Sequence, residues 1–461
     1  MSVIAAAVVP HPPLIMPEVG RGEEKIIQRT IDAYRKIMQR AAALNPDLIV
    51  ITSPHSVMYA DYFHISPGQT ATGNFARFNA PSVSVTVDYD EEFVAALAQK
   101  CAERHIPAGT LGEKNPSLDH GTIIPLRFWQ EHKLNCPVVR IGLSALPAKT
   151  HYALGQAVAA CADELRRRVF FIASGDLSHK LKSDGPYGFA KEGPEFDRQI
   201  MEILGKADFL SLLETDKDLS ERAAECGLRS FWIMAGALDG KSVSADKLSY
   251  EGPFGVGYGT VWFTAEGESP ERNFGEKLQE RHEKKMAERK AKEDPLVRLA
   301  RLSLETFVTA GHEGTLPKDL PAELTGTQAG AFVSLKKDGE LRGCIGTILP
   351  TQENLAAEIW KNAVSAAARD PRFSPVRPDE LGEIVYSVDV LTKPEPISSP
   401  AELDPVRYGV IVQNGSRQGL LLPNLAGVDT VEKQIAIAKQ KAGIRAEEKV
   451  KLWRFEAIRH Y

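Results

Sequence analysis

Apolar and polar residues alternate in blocks along the chain as far as about Phe263. Short, nearly continuous apolar runs, typical of buried strands, separate longer segments whose apolar residues recur at helical spacing. Because strands and helices alternate, the pattern predicts an α/β fold with a mixed, mostly parallel sheet flanked by helices. The predicted strands are SVIAAAVV, DLIVITS, SVSVTVD, PVVRIGLSA, VFFIASGD and GTVWF.

The pattern changes after residue 265. Residues 266–293 contain hardly any apolar side chain able to enter a core, and their opposite charges interleave at helical spacing. We expect this segment to be a charged, partly helical linker between a first domain of residues 1–265 and a second of residues 294–461. The second domain combines an amphipathic helix after Pro295, several strands and two further helices, which predicts a smaller α+β fold.

The length and net charge of the chain limit the classes of protein to which it can belong. A chain of 461 residues is too long for one hydrophobic core. The net charge of −5 favours neither a nucleic-acid partner nor an anionic membrane surface. Since no run reaches the roughly 18 apolar residues of a membrane-spanning helix, we expect a cytoplasmic protein with no membrane partner. A homodimer is the default assembly for such a protein.

The five cysteines are scattered, and none forms a C-x-x-C pair. This spacing argues against a disulfide framework or a structural zinc site. Cys226 follows a glutamate at the start of an apolar helix and is a possible metal ligand. Cys344, in LRGCIG, is either a reactive thiol beside an anion-binding Arg342 or a buried strand residue, and we favour the buried residue.

Three of the apolar runs lead into a histidine. SVIAAAVVPHPP contains His11, DLIVITSPHS contains His55, and VFFIASGDLSH ends at His179. Ligands of open α/β sheets bind where the carboxyl ends of strands converge, so we expect these imidazoles to share one crevice. Neutral imidazole is the commonest metal ligand near pH 7, and the pattern therefore predicts a metal or acid/base centre.

Other residues can complete this centre. His120 follows Asp119 at the start of an apolar helix, where Asp119 can also act simply as the helix cap. Asp176 lies three residues before His179 and can either orient that ring or cap a turn. The sequence offers three candidates for a third, anionic metal ligand, namely Glu225, Cys226 and Glu251.

The motifs H-P-P, S-P-H, D-H-G-x-x-x-P-L and S-G-D-L-S-H, in this order, resemble the class III (LigB-type) extradiol ring-cleavage dioxygenases and the related Memo proteins over roughly residues 1–265. The resemblance implies that His11 and His55 bind Fe(II), which leaves open positions for a catecholic substrate and O2. It also implies that His179 is the acid/base residue and that His120 lies near the substrate and oxygen.

The same resemblance leaves two possibilities for the third ligand. The dioxygenases have a glutamate before a helix that ends in G-A-L, which favours Glu225 over Glu251. Memo proteins have a cysteine followed by glycine there, and the E-C-G sequence also places Cys226 in that pattern. A thiolate ligand would favour zinc or copper over iron.

Residues 290–461 resemble the AMMECR-type domain through LRGCIGT, AVSAAARDPRF and the strand that ends in LTKPEPI. Fusion of the two domains is similar to the proteins grouped with radical-SAM partners as the AmmeMemoRadiSam set. The combined resemblance implies an Fe(II)-dependent dioxygenase that opens a catecholic ring with O2. The alternative is a Memo-like metal-binding protein that acts with a radical-SAM partner in a modification pathway.

Overall fold

The computed structural model describes residues 3–113, 117–132, 136–337, 339–425 and 427–461. The chain forms two compact units, Met1–Gln279 and Glu280–Tyr461. The division between them falls inside the segment 266–293, of which much is a helix.

The first unit contains the following elements. Its strands are β1 (Val3–Val9), β2 (Leu48–Ser53), β3 (Phe63–His64), β4 (Thr70–Phe75), β5 (Ala80–Asp88), β6 (Ala108–Gly109), β7 (Val138–Gly142), β8 (Val169–Ser174), β9 (Lys241–Glu251) and β10 (Tyr258–Glu268). Its helices are α1 (Pro17–Gly20), α2 (Gln28–Leu44), α3 (Glu91–Glu103), α4 (His120–Gln130), α5 (Ala148–Glu164), α6 (Glu192–Gly205), α7 (Phe209–Leu213), α8 (Lys217–Ala223) and α9 (Leu228–Ala237). Helix α10 (Phe274–Lys292) contains the division between the units.

The main sheet has six strands in the order β7-β2-β8-β1-β10-β9. The first four are parallel to one another, and β10 and β9 are antiparallel additions at one edge. The predicted mixed, mostly parallel sheet is therefore confirmed. Strands β1, β2 and β8 are buried along their whole length because helices cover both faces, which explains their continuous apolar sequences.

Two hydrophobic cores lie on opposite faces of this sheet. Alternate residues of β1 belong to different cores, with Ala6 and Val8 in one and Ala5 and Ala7 in the other. Helices α5 and α9 contribute to the first core, and α2 and α4 to the second. The sheet is thus held between two helical layers, and its strand ends are positioned by packing on both sides.

The predicted strand SVSVTVD lies outside the main sheet. It forms most of β5, which pairs with β4 in a separate antiparallel hairpin. Buried and exposed residues alternate along the middle of β5. This period of two is typical of an antiparallel strand with one solvated face, whereas the parallel strands of the main sheet are apolar throughout.

The second unit is a smaller α+β fold, as predicted. It contains the helices α11 (Pro295–Ala310), α12 (Ala322–Thr325), α13 (Leu355–Ala368) and α14 (Val431–Lys441), and the strands β11 (Ala331–Lys337), β12 (Glu340–Gly346), β13 (Ile384–Leu391), β14 (Glu395–Ile397), β15 (Gly409–Asn414), β16 (Arg417–Leu421), β17 (Lys451–Phe455) and β18 (Ala457–His460). The strands form two sheets, β12-β11-β13-β18 and β14-β17-β15-β16. None of the helices formed by the described residues combines the length and apolar character needed to cross a membrane.

Candidate metal centre

The three strand-end histidines come together because their strands are neighbours. Strand β8 lies between β2 and β1, and all three run in the same direction. His11 and His55 each lie two residues beyond a strand end, and His179 lies on the longer loop after β8. The carboxyl edge of the sheet therefore carries all three rings, as the sequence predicts.

His11, His55 and Cys226 form a compact group of donor atoms. The two Nε2 atoms of the histidines are 3.0 Å apart, and Cys226 Sγ is 3.6 Å from His11 Nε2. The three donor atoms lie within 4.8 Å of one another, a grouping that can hold a metal ion. His11 is buried, whereas His55 is exposed and Cys226 is half-buried, so the group extends from the protein interior to the surface.

Asp176 and His179 form a second such group, and they share Cys226 with the first. The Asp176 carboxylate accepts a hydrogen bond from the His11 backbone N–H at 2.7 Å, and its other oxygen is 3.9 Å from His11 Nε2. The Asp176 backbone N–H donates to Cys226 Sγ at 3.3 Å. The ring of His179 is held through its Nδ1 by the backbone carbonyl of Ala224. Asp176 therefore links His11, Cys226 and the loop that carries His179.

His120 lies on the crevice side of the group. Its ring centroid is 4.0 Å from that of His55 and 5.4 Å from that of His11. Asp119 is the N-cap of α4 and accepts from Thr122 N–H, and its carboxylate also accepts from the Ser53 hydroxyl. Asp119 therefore caps the helix, and His120 lies beside the candidate ligands.

The two glutamates considered as third ligands have other partners. The Glu225 carboxylate accepts from the Leu228 N–H in the first turn of α9, and burial raises its pKa to about 7. Glu251 accepts from the backbone N–H and hydroxyl of Thr30 in the first turn of α2. Among the described residues, the donor groups contain Cys226 and neither glutamate. The structure therefore does not bring the predicted Glu225 carboxylate to His11 and His55.

The position of Cys226 depends on the close approach of two loops. A Cβ atom added at Gly175 would lie only 2.1 Å from the Cα of Gly227. The loop after β8 can therefore approach the loop before α9 this closely only with glycine at position 175. This contact places Cys226 next to Asp176 and His11.

Burial favours the neutral forms of His11, His55 and His120. It is the main cause that lowers the pKa of His11, His55 and His120, and nearby histidines lower the pKa of His11 and His120 further. Burial also raises the pKa of the Asp176 carboxyl and of the Cys226 thiol. The neutral imidazoles therefore offer lone pairs to a metal ion, and burial by itself favours the protonated forms of Asp176 and Cys226.

A cavity of about 700 Å³ opens beside His55 and His120. Its lining includes Arg77 and Phe78, from the turn between β4 and β5, and Arg140 from β7. The Phe78 ring is 5.4 Å from that of His120. None of these three residues is predicted from the sequence. Arg140 left a signal, since it is a charged residue inside an apolar strand, whereas Arg77 and Phe78 reach the cavity only through the tertiary fold.

Cys344 lies within β12, in the second unit. Its backbone N–H donates to the Asp370 carboxylate at 2.9 Å, and its thiol accepts from the Ser334 hydroxyl at 3.2 Å. Arg342 is paired with the Glu380 carboxylate through two hydrogen bonds of 2.9 Å. Cys344 is a half-buried strand residue, and Arg342 holds a protein carboxylate.

Comparison with protein families gives two adjoining matches. The model described as the catalytic LigB subunit of aromatic ring-opening dioxygenase matches residues 5–261, which is more than half of the chain. The AMMECR1 model matches residues 297–460. The order of the two matches is that of the two resemblances in the sequence.

Several proteins of other organisms are similar to this chain in sequence. Protein CA_C1420 of Clostridium acetobutylicum is 40% identical over 100% of this chain and 99% of its own length. A Thermotoga maritima protein is 53% identical over 36% of this chain and 98% of its own. Among solved structures, protein PH0010 of Pyrococcus horikoshii is 36% identical and covers 36% of this chain and 88% of that chain, with a TM-score of 0.34.

Proposed function

Since the chain belongs to the LigB family of catalytic subunits of aromatic ring-opening dioxygenases, followed by an AMMECR1 domain, we propose that its first unit is a metal-dependent, extradiol-type dioxygenase. The substrate is a catecholic ring, opened beside the two hydroxyls with O2. The observation that carries this proposal is the close pair of imidazoles, His11 and His55, of which His55 lines a cavity of about 700 Å³ that can admit an aromatic ring.

The donor set fits a divalent transition metal. Two nitrogen ligands, each about 2.1 Å from one ion, can be at most about 4.2 Å apart. The separation of 3.0 Å between the Nε2 atoms of His11 and His55 meets this condition. The limit for a nitrogen and a sulfur ligand is slightly longer, and the distance of 3.6 Å between His11 Nε2 and Cys226 Sγ meets it as well. We propose Fe(II) as the ion for ring cleavage, which would supply binding of both substrate hydroxyls and the redox chemistry with O2.

The surrounding residues provide the proton chemistry. The Ala224 carbonyl accepts a hydrogen bond from His179 Nδ1, so the other ring nitrogen, Nε2, carries the lone pair that can accept a proton from a substrate hydroxyl. His120 lies between the cavity and the candidate ligands, where it can donate to or accept from bound oxygen atoms. Phe78 offers a ring face to an aromatic substrate.

Cys226 supports a second candidate function. A thiol in place of a carboxylate beside His11 and His55 favours zinc or copper, which suits a Memo-like metal-binding protein more than an oxygenase. In this alternative the first unit serves a radical-SAM partner in a modification pathway, together with the second unit.

The two functions separate in one experiment. The full chain, purified without oxygen and loaded with Fe(II), is offered a panel of catechols and then O2. A yellow ring-opened product supports the dioxygenase. Absence of product across the panel, together with tight binding of zinc or copper, overturns the dioxygenase in favour of the Memo-like protein.

The His179→Ala variant should retain the metal and lose turnover, and unchanged turnover would exclude His179 as the base.

A further inference from the structure

The buried hydroxyl of Ser174, at the end of β8, contacts two groups. Its Oγ donates a hydrogen bond to the Gly121 carbonyl oxygen at 2.7 Å and lies 2.9 Å from His11 Nδ1. Both contacts are buried. A serine hydroxyl carries one proton and can donate it to one partner only, while it accepts from the other. A carbonyl oxygen can only accept.

Pro125 decides which partner receives this proton. Within α4, the Gly121 carbonyl would ordinarily accept from the N–H four residues later, which is position 125. Proline has no N–H, and its ring pushes the carbonyl of the fourth preceding residue away from the helix axis. A buried carbonyl without a donor is costly, so the Ser174 proton is committed to Gly121.

We infer that Ser174 is a positioning residue that holds His11 in the tautomer with its proton on Nδ1, and that Pro125 enforces this role. With its own proton directed at Gly121, the Ser174 oxygen can only accept from the imidazole. The unprotonated nitrogen is then Nε2, the atom that faces His55 Nε2 and Cys226 Sγ. His11 is thus prepared for a metal ion before one arrives.

This inference rests on the proposed metal site, although not on ring cleavage. It assigns a function to two residues of the sequence motifs that the proposed chemistry leaves unused, the proline of D-H-G-x-x-x-P-L and the first serine of S-G-D-L-S-H. The two motifs are far apart in sequence, and the hydrogen bond from Ser174 to Gly121 joins them.

The test reads the tautomer directly in the metal-free full chain. Histidine labelled with nitrogen-15 gives NMR cross-peaks that distinguish a proton on Nδ1 from one on Nε2. The signals of His11, among the 11 histidines, are identified as those lost in a His11→Asn variant. We expect only the Nδ1–H form in the wild-type protein, and a proton on Nε2 would overturn the inference.

Two variants separate positioning from folding. Pro125→Ala supplies an N–H to Gly121 and releases the Ser174 hydroxyl, so both tautomers should appear while Ser174 remains. The double variant Ser174→Ala/Pro125→Ala keeps the Gly121 carbonyl satisfied but removes the partner of His11. It should also show both tautomers and bind Zn²⁺ about 10- to 100-fold more weakly, the usual cost of losing an outer partner of a metal ligand. Retention of the single Nδ1–H form in either variant would refute the inference.

Ser144→Ala is the matched control, because Ser144 is also a buried serine of the first unit, and its hydroxyl accepts from Leu146 N–H rather than from a histidine. It should leave the tautomer and Zn²⁺ affinity unchanged, and an equal loss of affinity there would refute a specific role for Ser174. Failure of the wild-type chain to bind Zn²⁺ or Fe(II) at all would overturn the proposed metal site, whereas the tautomer measurement needs no metal.

Discussion

At the residue scale, the donor atoms of the candidate centre have different surroundings. His11 is held on three sides, by Ser174 at Nδ1, by Asp176 at its backbone N–H, and by His55 at Nε2. His55 is more exposed and lies at the cavity. Desolvation, complete at His11 and partial at His55, favours neutral imidazole at both positions. Of the two candidate ligands, His11 is therefore the more firmly held, and His55 is the one that lines the cavity.

The third ligand can be identified by paired substitutions. Cys226→Ser keeps the shape of the side chain but replaces the thiol with a weaker ligand, so metal affinity should fall by more than about tenfold. Glu225→Gln retains an oxygen that accepts from Leu228 N–H, and affinity should remain unchanged. Metal analysis and titration against a chelator measure both variants. The reverse outcome, with loss only in Glu225→Gln, would make the carboxylate the ligand.

At the element scale, the centre depends on how helices and loops pack behind the strand ends. Asp197, in α6, accepts from the Ser178 N–H and from the Tyr250 hydroxyl, so it ties the loop of His179 to α6 and β9. The glycines of the two loops that meet at Cys226 allow the backbones to touch. These contacts join elements that are separate in sequence. The glycine contact and the Asp197 hydrogen bonds can each be tested by a substitution.

Gly175→Ala should disrupt the loop contact. The added Cβ would lie 2.1 Å from Gly227 Cα, so one loop must move, at a cost of about 1–3 kcal/mol in the free energy of unfolding. Because Cys226 moves with its loop, metal affinity should fall as well. Gly382→Ala is the control, since a Cβ there meets nothing within 4 Å. Chemical denaturation and metal titration check the result, and wild-type values for Gly175→Ala would contradict it.

The buried Asp197 predicts a dependence of stability on pH. Burial raises its pKa to about 7 in the folded protein, compared with about 3.9 in an unfolded chain. Between these values the folded state holds a proton that the unfolded state releases, so this residue makes the free energy of unfolding fall as pH rises from about 4 to about 7. Below and above this interval its contribution is constant.

Asp197→Asn removes this dependence, because the amide stays neutral and can accept from Ser178 N–H while it donates to Tyr250. Relative to the wild-type protein, the variant should gain stability as pH rises through the interval, by at most about 4 kcal/mol. Urea denaturation at a series of pH values measures the difference between the two proteins. A difference that does not vary with pH would show that the carboxyl titrates normally.

At the scale of the whole molecule, each unit has its own buried apolar cores. The two cores of the main sheet use residues of the first unit only, and three other cores use residues of the second. Within the described part of the chain, both groups of candidate metal ligands lie in the first unit. We therefore expect the candidate metal centre to form without the AMMECR1 domain.

Residues 1–279, produced alone, should fold and bind one equivalent of the metal with the affinity of the full chain. Residues 280–461 serve as the matched control and should bind no metal at the same concentration. Circular dichroism verifies that both pieces are folded before metal titration. Loss of binding in the folded first unit would mean that the second unit supplies a ligand.

The sequence by itself determined the fold class, the two domains and the strand-end histidines. These features are local, because continuous apolar runs identify buried parallel strands and the residues just beyond them must lie at one sheet edge. Only the tertiary structure decided the partner of those histidines. Whether Glu225 or Cys226 faces His11 depends on the contact of Gly175 with Gly227, and the Ser174 hydrogen bond depends on a helix carbonyl from another motif. Such contacts depend on packing between distant segments, which no local pattern encodes.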